Sequence, residues 1–288
     1  MNFLKALFGG KEESSEERKH SEEERNFNLL KFDGIKALRM NQMEHATKCF
    51  QHALQIKDDL ELRDYLSQAL IHLGELEEAT RQLDILAEAQ PDNVQIPIRI
   101  ANVAFMNEDY DTMSAACQRA IDIDPANPQT YYLFAHARIK QGNPSEAIAL
   151  LSKAIDLNAD YGDAILLRGE TLLQTDQTEE AVKDADYLIQ HTQQNEDVLL
   201  LKARIEQKMG NTDEALIYYN KVVDANPFSL DAYKERAALH QLLGNTDEAE
   251  ADLKQVADLT PTTTDGQTED LEQKVRDAYR NNNPFGLG

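Results

Sequence analysis

The feature that most constrains this sequence is a short segment that returns at a fixed spacing. Residues 142–147 have the sequence GNPSEA, and residues 210–215 and 244–249 both have GNTDEA, at offsets of 68 and 34 residues. Gly74 and Asp176 fall on the first place of the same frame. A period of 34 residues predicts a tandem array of one small structural unit.

The clearest copy of the unit, residues 128–161, carries two helical patterns separated by a turn. Residues of one helix face recur at the i, i+3, i+4, i+7 spacing in each half: Tyr131, Phe134, Ala135 and Arg138, then Ala147, Leu151 and Ala154. Between the halves, Gly142 suits the left-handed end of a helix, Asn143 an N-cap and Pro144 a first helical turn. The unit is therefore predicted to be a helix-turn-helix hairpin.

A helix-turn-helix period of 34 residues with small residues at fixed positions resembles the tetratricopeptide repeat, over residues 27–263. The resemblance implies an all-α fold, a right-handed superhelical solenoid of seven hairpins closed by a C-terminal capping helix. The predicted repeats are 27–59, 60–93, 94–127, 128–161, 162–195, 196–229 and 230–263. Repeat positions are numbered below from the first residue of each. Arg63 and Pro97 depart from the family pattern, which usually has a large apolar residue there.

The segments on either side of the repeats differ from them in composition. Residues 1–10 begin with the apolar run MNFLKALF, which is too short to span a bilayer. It is interpreted either as a terminal segment that packs on the first repeat or as an amphipathic peptide that contacts a membrane surface or a partner. Residues 11–26 are predicted to be a charged linker, with Ser21 and Glu24 forming a capping box for the first helix.

The C-terminal end is predicted to hold one further helix. Within residues 264–282, Leu271, Val275 and Tyr279 share one helix face, which would cover the open apolar face of the last repeat. Residues 283–288 are predicted to be a flexible tail.

Charge and cysteine content narrow the class of partner and the compartment. The chain has 52 acidic and 29 basic residues and a formal net charge of −23, which disfavours nucleic acid and anionic lipid as partners. Cys49 and Cys117 lie in different repeats, and no disulfide between them is expected. With no secretory signal recognised, we predict a cytoplasmic protein.

No catalytic motif stands out. The sequence has no glycine-rich phosphate loop, nucleophile elbow or zinc-protease histidine pair, so neither an enzyme nor a cofactor is expected. His45, Cys49 and His52 share one helix face at i, i+4 and i+7 spacing and offer three zinc-type donors, without a fourth nearby. We favour packing over metal binding for these three residues.

The resemblance implies a concave groove lined by the first helix of each repeat. The residues predicted to line it are Ile98, Tyr132, Leu166 and Leu200 at repeat position 5, and Asn102, His136, Glu170 and Arg204 at repeat position 9. An apolar row beside a polar row, with acidic residues along repeat position 2, is typical of a surface that binds basic or apolar peptide segments. The alternative is that the position-5 side chains only pack against neighbouring helices.

The predicted function is a non-catalytic adaptor or scaffold that holds a peptide segment of a partner protein. The two-carboxylate clamp that some family members use is not matched, because no three consecutive repeats supply its lysine, asparagine and arginine set. The alternative function is a structural or self-associating assembly component, tethered through the N-terminal apolar segment.

Overall fold

The chain is a succession of helical hairpins. A computed structural model describes residues 15–192 and 195–260, and this part of the chain is all α-helix and connecting turn. Its helices are α1 Ser15–Arg39, α2 Met43–Ile56, α3 Leu60–Leu73, α4 Leu76–Ala89, α5 Gln95–Met106, α6 Tyr110–Ile123, α7 Pro128–Lys140, α8 Pro144–Leu157, α9 Gly162–Gln174, α10 Thr178–His191, α11 Glu196–Lys208, α12 Thr212–Ala225, α13 Leu230–Leu243 and α14 Thr246–Leu259. The all-α helical-repeat fold is confirmed.

The predicted N-terminal segment 1–10, capping helix 264–282 and tail 283–288 lie outside the described residues. Two compact units divide the chain, Met1–Asp109 with α1 to α5 and Tyr110–Gly288 with α6 to α14. Within each unit every helix packs against the next one along the chain. No helix among the described residues is long and apolar enough to cross a membrane.

The turn of every hairpin contains one residue with a left-handed backbone. These seven residues all fall on repeat position 15: Asn41, Gly74, Glu108, Gly142, Asp176, Gly210 and Gly244. The residue after each one donates its backbone N–H to the carbonyl five residues earlier at 2.8–2.9 Å. This is the 6→1 bond of a Schellman motif, which ends a helix and reverses the chain. The left-handed residue therefore sets both the length of each first helix and the start of the next.

Small residues at one repeat position let neighbouring helices approach closely. Repeat position 8 is always Gly, Ala or Ser, as Gly34, Ser67, Ala101, Ala135, Gly169, Ala203 and Ala237. A Cβ added at Gly34 would lie 2.5 Å from the Phe50 ring, and one at Gly169 would lie 2.8 Å from Leu201. Both distances are shorter than Cβ contacts allow, so an added Cβ would force the Phe50 ring or the Leu201 side chain to shift.

In the second unit, charged side chains at repeat position 7 join the two helices of a hairpin. Arg168 donates to Asp184 through Nε (2.9 Å) and Nη2 (2.7 Å), and Arg236 makes the same forked pair with Asp252 at 2.8 and 2.6 Å. Both carboxylates are buried. A buried charge is tolerated when it is paired and hydrogen-bonded in this way.

Helix α1 corrects the prediction for the N-terminal flank. It begins at Ser15, so residues 15–26 are helical and not a linker, and Ser21 lies inside the helix where it caps nothing. Glu16 and Glu17 in the first turn favour the helix dipole, and Lys19 lies 3.9 Å from Glu23 one turn later. The charge and solvent exposure of this segment are as predicted, but its residues are also good helix formers.

Candidate functional site

The first unit contributes Ile98 and Asn102, both on α5, to the predicted peptide surface. Both are buried in the structure. Neither the nitrogen nor the oxygen of the Asn102 amide has a hydrogen-bond partner among the described residues. Ile98 therefore serves as a core residue, which agrees with the packing alternative at this position.

Charged residues of α1, α3 and α5 are already paired within the first unit. Lys31 donates to Glu61 at 2.6 Å and lies 3.6 Å from Asp59, and this hydrogen bond raises the pKa of Lys31. Arg99 pairs with Asp64 on α3. The acidic edge of this unit is therefore largely neutralised by its own lysine and arginine.

In the second unit the residues at repeat position 5 differ in solvent exposure. Leu200 is buried with Leu199, Ala203 and Tyr219 in one core cluster, whereas Tyr132 and Leu166 remain half-buried. Tyr132 and Leu166, unlike Leu200, keep surface that a ligand can contact. The predicted apolar row is thus partly core and partly accessible.

The two position-9 residues Glu170 and Arg204 lie within electrostatic reach of each other. Arg204 donates through Nη2 to Glu235 at 2.7 Å and through Nε at 2.9 Å, and these bonds raise the pKa of Arg204. The Tyr219 hydroxyl lies 3.1 Å from the same Glu235 carboxylate. Arg204 is therefore held by the protein, and its charge is largely balanced before any ligand arrives.

The Glu170 carboxylate is half-buried and accepts no hydrogen bond from the described residues. Burial raises the pKa of Glu170; the nearby Arg204 opposes this shift and Asp197 adds to it. A carboxylate that has lost solvent without gaining a hydrogen bond is stabilised by an incoming cation or donor.

Tyr132 lies within electrostatic reach of this carboxylate and forms an aromatic cluster with Tyr161 and His136. The Tyr132 and Tyr161 ring centroids are 5.3 Å apart, and His136 packs edge-on to Tyr132 at 4.7 Å. Burial raises the pKa of Tyr132, and the charges of Asp163 and Glu170 raise it further. Burial and, to a smaller extent, the negative charge of Asp163 raise the pKa of Tyr161 to about 12. We call Tyr132, Tyr161, Asp163 and Glu170 the aromatic–acidic surface.

His136 is a neutral imidazole at physiological pH. Burial lowers the pKa of His136 to about 4, and the positive charge of Lys140 lowers it further. The ring therefore adds no positive charge to the aromatic–acidic surface, and it buttresses Tyr132 through the edge-on contact.

The possible metal donors lie elsewhere, on α2. His45 Nε2 is 3.7 Å from Cys49 Sγ, while His52 is exposed. Burial raises the pKa of the Cys49 thiol. Among the residues that the structure describes, no group of three or more His, Cys, Asp or Glu side chains is arranged to hold a metal ion.

Sequence reasoning did not single out Tyr161 or the pairs of Arg168 and Arg236. Tyr161 is the last residue of a predicted repeat, and its importance follows only from contact with Tyr132 on the preceding first helix. The ion pairs had a signal in the sequence, since an arginine and an aspartate recur 16 residues apart in two repeats.

Tandem helical hairpins that end on left-handed turns, with small residues between their helices, define a helical-repeat protein. The family model described as the N-terminal ARM repeat of tetratricopeptide repeat protein 21 matches residues 37–250, which is most of the chain. The chain therefore belongs to this family of tetratricopeptide-type helical repeats, as the sequence predicted.

Two solved structures and one sequence relative extend the comparison. The chain is similar to a tetratricopeptide repeat protein from Parabacteroides merdae, with a TM-score of 0.68, 14% identity and coverage of 88% of this chain and 98% of that one. It is also similar to YrrB, described as a TPR protein with an unusual peptide-binding site, with a TM-score of 0.51, 18% identity and coverage of 67% and 97%. At these identities the likeness shows the fold alone.

The sequence relative is the Protein SGT1 homolog of Oryza sativa subsp. japonica. It is 33% identical over 89 residues, which are 30% of this chain. The match spans only 24% of that protein's length.

Proposed function

We propose that this chain is a non-catalytic interaction scaffold whose second unit binds a peptide segment carrying a basic side chain. The observation that supports this most is the aromatic–acidic surface, where a half-buried carboxylate without a hydrogen bond lies within electrostatic reach of Tyr132, whose ring centroid is 5.3 Å from that of Tyr161. The similarity in fold to YrrB, described by its peptide-binding site, also favours a peptide ligand.

The chemistry of the aromatic–acidic surface favours a cation. The faces of Tyr132 and Tyr161 attract ammonium and guanidinium groups, an interaction of about 0.5–2 kcal/mol depending on desolvation. Asp163 and Glu170 supply negative charge at the same place. A lysine or arginine bound here would relieve the unfavourable burial of the Glu170 carboxylate, and it would be attracted by the overall charge of −23.

We narrow the proposed ligand contacts from the eight residues predicted by sequence. Ile98, Asn102 and Leu200 are buried, His136 packs against Tyr132, and Arg204 is engaged with Glu235. Tyr132, Leu166 and Glu170 remain the proposed contacts. Glu170 would take the basic side chain, and Leu166 would contact an apolar neighbour in the peptide.

We propose no reaction for this surface. His136 is half-buried with its pKa lowered to about 4, and its ring packs edge-on to Tyr132. The proposed compartment is the cytoplasm, which agrees with Cys49 and Cys117 being free, buried thiols.

The test uses a random dodecapeptide display library selected on the whole chain and counter-selected on the Tyr132→Leu, Glu170→Gln variant. We expect the retained peptides to be enriched in lysine and arginine. A labelled copy of a retained peptide should then bind Tyr132→Leu and Glu170→Gln at least about tenfold more weakly, about 1.4 kcal/mol, in fluorescence anisotropy. Tyr132→Leu keeps apolar bulk while removing the ring face.

The matched control is Glu180→Gln, which removes an exposed carboxylate from α10 in the same unit. Its affinity should equal that of the unchanged chain. Retained peptides without basic residues, or equal losses in Glu170→Gln and Glu180→Gln, would show that the aromatic–acidic surface is not the binding site.

A further inference from the structure

The first helix exposes apolar side chains at a position that is buried in every later repeat. Repeat position 3 is at most 4% exposed in six repeats, as Leu62, Ile96, Thr130, Ala164, Val198 and Ala232. Leu29 holds this position in the first repeat and is 57% exposed, and Phe32, one turn later on α1, is 64% exposed. These two side chains form the head surface.

The last described hairpin exposes the opposite part of the repeat. Repeat position 24 is at most 1% exposed in six repeats, as Phe50, Leu83, Cys117, Leu151, Ala185 and Tyr219. Leu253 holds this position on α14 and is 44% exposed. Leu242 and Leu243 at the end of α13 are exposed as well. We call these three leucines the tail surface.

Inside each unit, positions 24 and 3 pack against each other between consecutive hairpins. Phe50 shares one core cluster with Leu62 of the next repeat. Leu151 likewise clusters with Ala164, and Tyr219 with Ala232. Leu29 and Leu253 are therefore the two unpartnered halves of an interface that the chain already makes between its own repeats.

The charges of the two end repeats differ in sign. Residues 27–59, the first repeat, contain five basic and four acidic residues, a net charge of +1, whereas residues 230–263, the last repeat, contain three basic and seven acidic residues, a net charge of −4. With the helical extension 15–26 included, the head region carries −1. A repeat of positive net charge is unusual in a chain of net charge −23, and it would repel the acidic last repeat of another molecule less than the other repeats do.

We infer that the tail surface binds the head surface of a second copy of this chain. Leu29 and Phe32 of one copy would pack on Leu253 of the other, as position 3 packs on position 24 between internal repeats. Such a contact is heterologous, so each copy keeps one free end and association continues until a ring closes or a filament grows. Self-association is independent of the aromatic–acidic surface and of any peptide bound there.

The experiment measures the molar mass of the full chain by light scattering over a range of protein and salt concentrations. We expect the mass to rise above the monomer value of 32.6 kDa with protein concentration and to fall with added salt. Phe32→Glu should block the head surface, and Leu253→Lys should block the tail surface, because each places a like charge against the opposing hairpin. Each variant alone should remain monomeric.

Mixing the two variants gives the sharpest test. Phe32→Glu keeps an intact tail surface and Leu253→Lys keeps an intact head surface, so an equimolar mixture should form dimers and nothing larger. The control Ile217→Lys replaces an isoleucine on α12 that is 44% exposed, as Leu253 is. This variant should associate like the unchanged chain.

Three outcomes would overturn the inference. They are an unchanged chain that remains monomeric at every concentration, a mixture that forms no dimer, and an Ile217→Lys variant that disrupts association as much as Leu253→Lys does. A monomeric chain whose melting temperature falls on Leu253→Lys would show instead that residues 261–288 of the same molecule cover the tail surface.

Discussion

Removal of the Asp184 carboxylate tests how the two helices of one hairpin, α9 and α10, are held together. Arg168 donates to Asp184 at 2.7 and 2.9 Å and to Ser152 Oγ at 3.0 Å. The Asp184 side chain is 7% exposed and that of Arg168 is 22% exposed. Asp184→Ala would leave a largely buried guanidinium with one neutral hydrogen bond.

The magnitude follows from the burial of the pair. Breaking a buried ion pair by removing one partner costs about 3–5 kcal/mol, because the remaining charge is uncompensated. Arg168 keeps about a fifth of its exposure and the Ser152 bond, so we expect a loss at the lower end, about 3 kcal/mol. Replacing both partners, as Arg168→Met with Asp184→Leu, removes the isolated charge and should cost far less.

The assay is urea unfolding followed by circular dichroism, fitted with nearest-neighbour terms because repeat hairpins unfold in part independently. The matched control is Asp186→Ala, which removes a carboxylate that is 47% exposed two residues away. Its partner Lys202 keeps Glu206 at 3.0 Å, so the loss should stay below about 1 kcal/mol. Equal losses in Asp184→Ala and Asp186→Ala, or a double variant as unstable as Asp184→Ala, would refute the reasoning.

Three other predictions concern single backbone or side-chain changes. Glu108→Gly should raise the free energy of unfolding by about 1 kcal/mol, and Gly142→Ala should lower it by a similar amount, because only glycine adopts the left-handed turn without strain; equal effects of one sign would contradict this. Gly34→Ala should lower the melting temperature, since its Cβ would lie 2.5 Å from a phenylalanine ring of α2, whereas Gly162→Ala, with its nearest atom at 4.0 Å, should not. Glu170→Gln should stabilise the fold at neutral pH, because burial raises the pKa of Glu170 and so disfavours its charged form. The gain in stability should shrink as the pH falls and the native carboxyl is protonated. A gain that grows at low pH would show the opposite pKa shift.

The hairpin architecture could be predicted because one backbone requirement recurs. A left-handed residue must end every first helix, and glycine meets this need in four of the seven turns. Those glycines made the 34-residue period visible, and the period placed Asp176 in the same frame although it is not a glycine. The turns at Asn41 and Glu108 were not singled out, because neither residue is a glycine and the first repeat is one residue short.

The solvent exposure of the candidate-site residues could not be predicted in the same way. Periodicity places Tyr132, Leu166 and Leu200 on one face, but exposure depends on the side chains of the neighbouring hairpin. Leu200 is covered because Tyr219 and its neighbours fill the adjacent core, whereas Tyr132 contacts another half-buried ring, Tyr161. The helical residues 15–26 were missed because charge predicts exposure without distinguishing a solvated helix from a linker.

Three cationic side chains of the second unit make the same contact between repeats, although the residues involved differ. Arg168, Lys202 and Arg236 occupy repeat position 7, and each donates to repeat position 25 of the preceding hairpin: Ser152 at 3.0 Å, Asp186 at 2.6 Å and Asn220 at 2.7 Å.

The carboxylates that neutralise these cations differ in position. Both arginines find an aspartate within their own hairpin, at repeat position 23. In the middle repeat Tyr218 stands at that position, and Lys202 pairs with Asp186 of the preceding hairpin as well as with Glu206 of its own helix. The pair of Lys202 with Asp186 therefore joins two hairpins. Asp186→Asn should therefore weaken the coupling between the hairpins on either side of it more than the intrinsic stability of either, a difference that hydrogen exchange across α10 and α11 would measure. If hydrogen exchange became slower in α10 and faster only in α11, the role of Asp186 in joining the two hairpins would be contradicted.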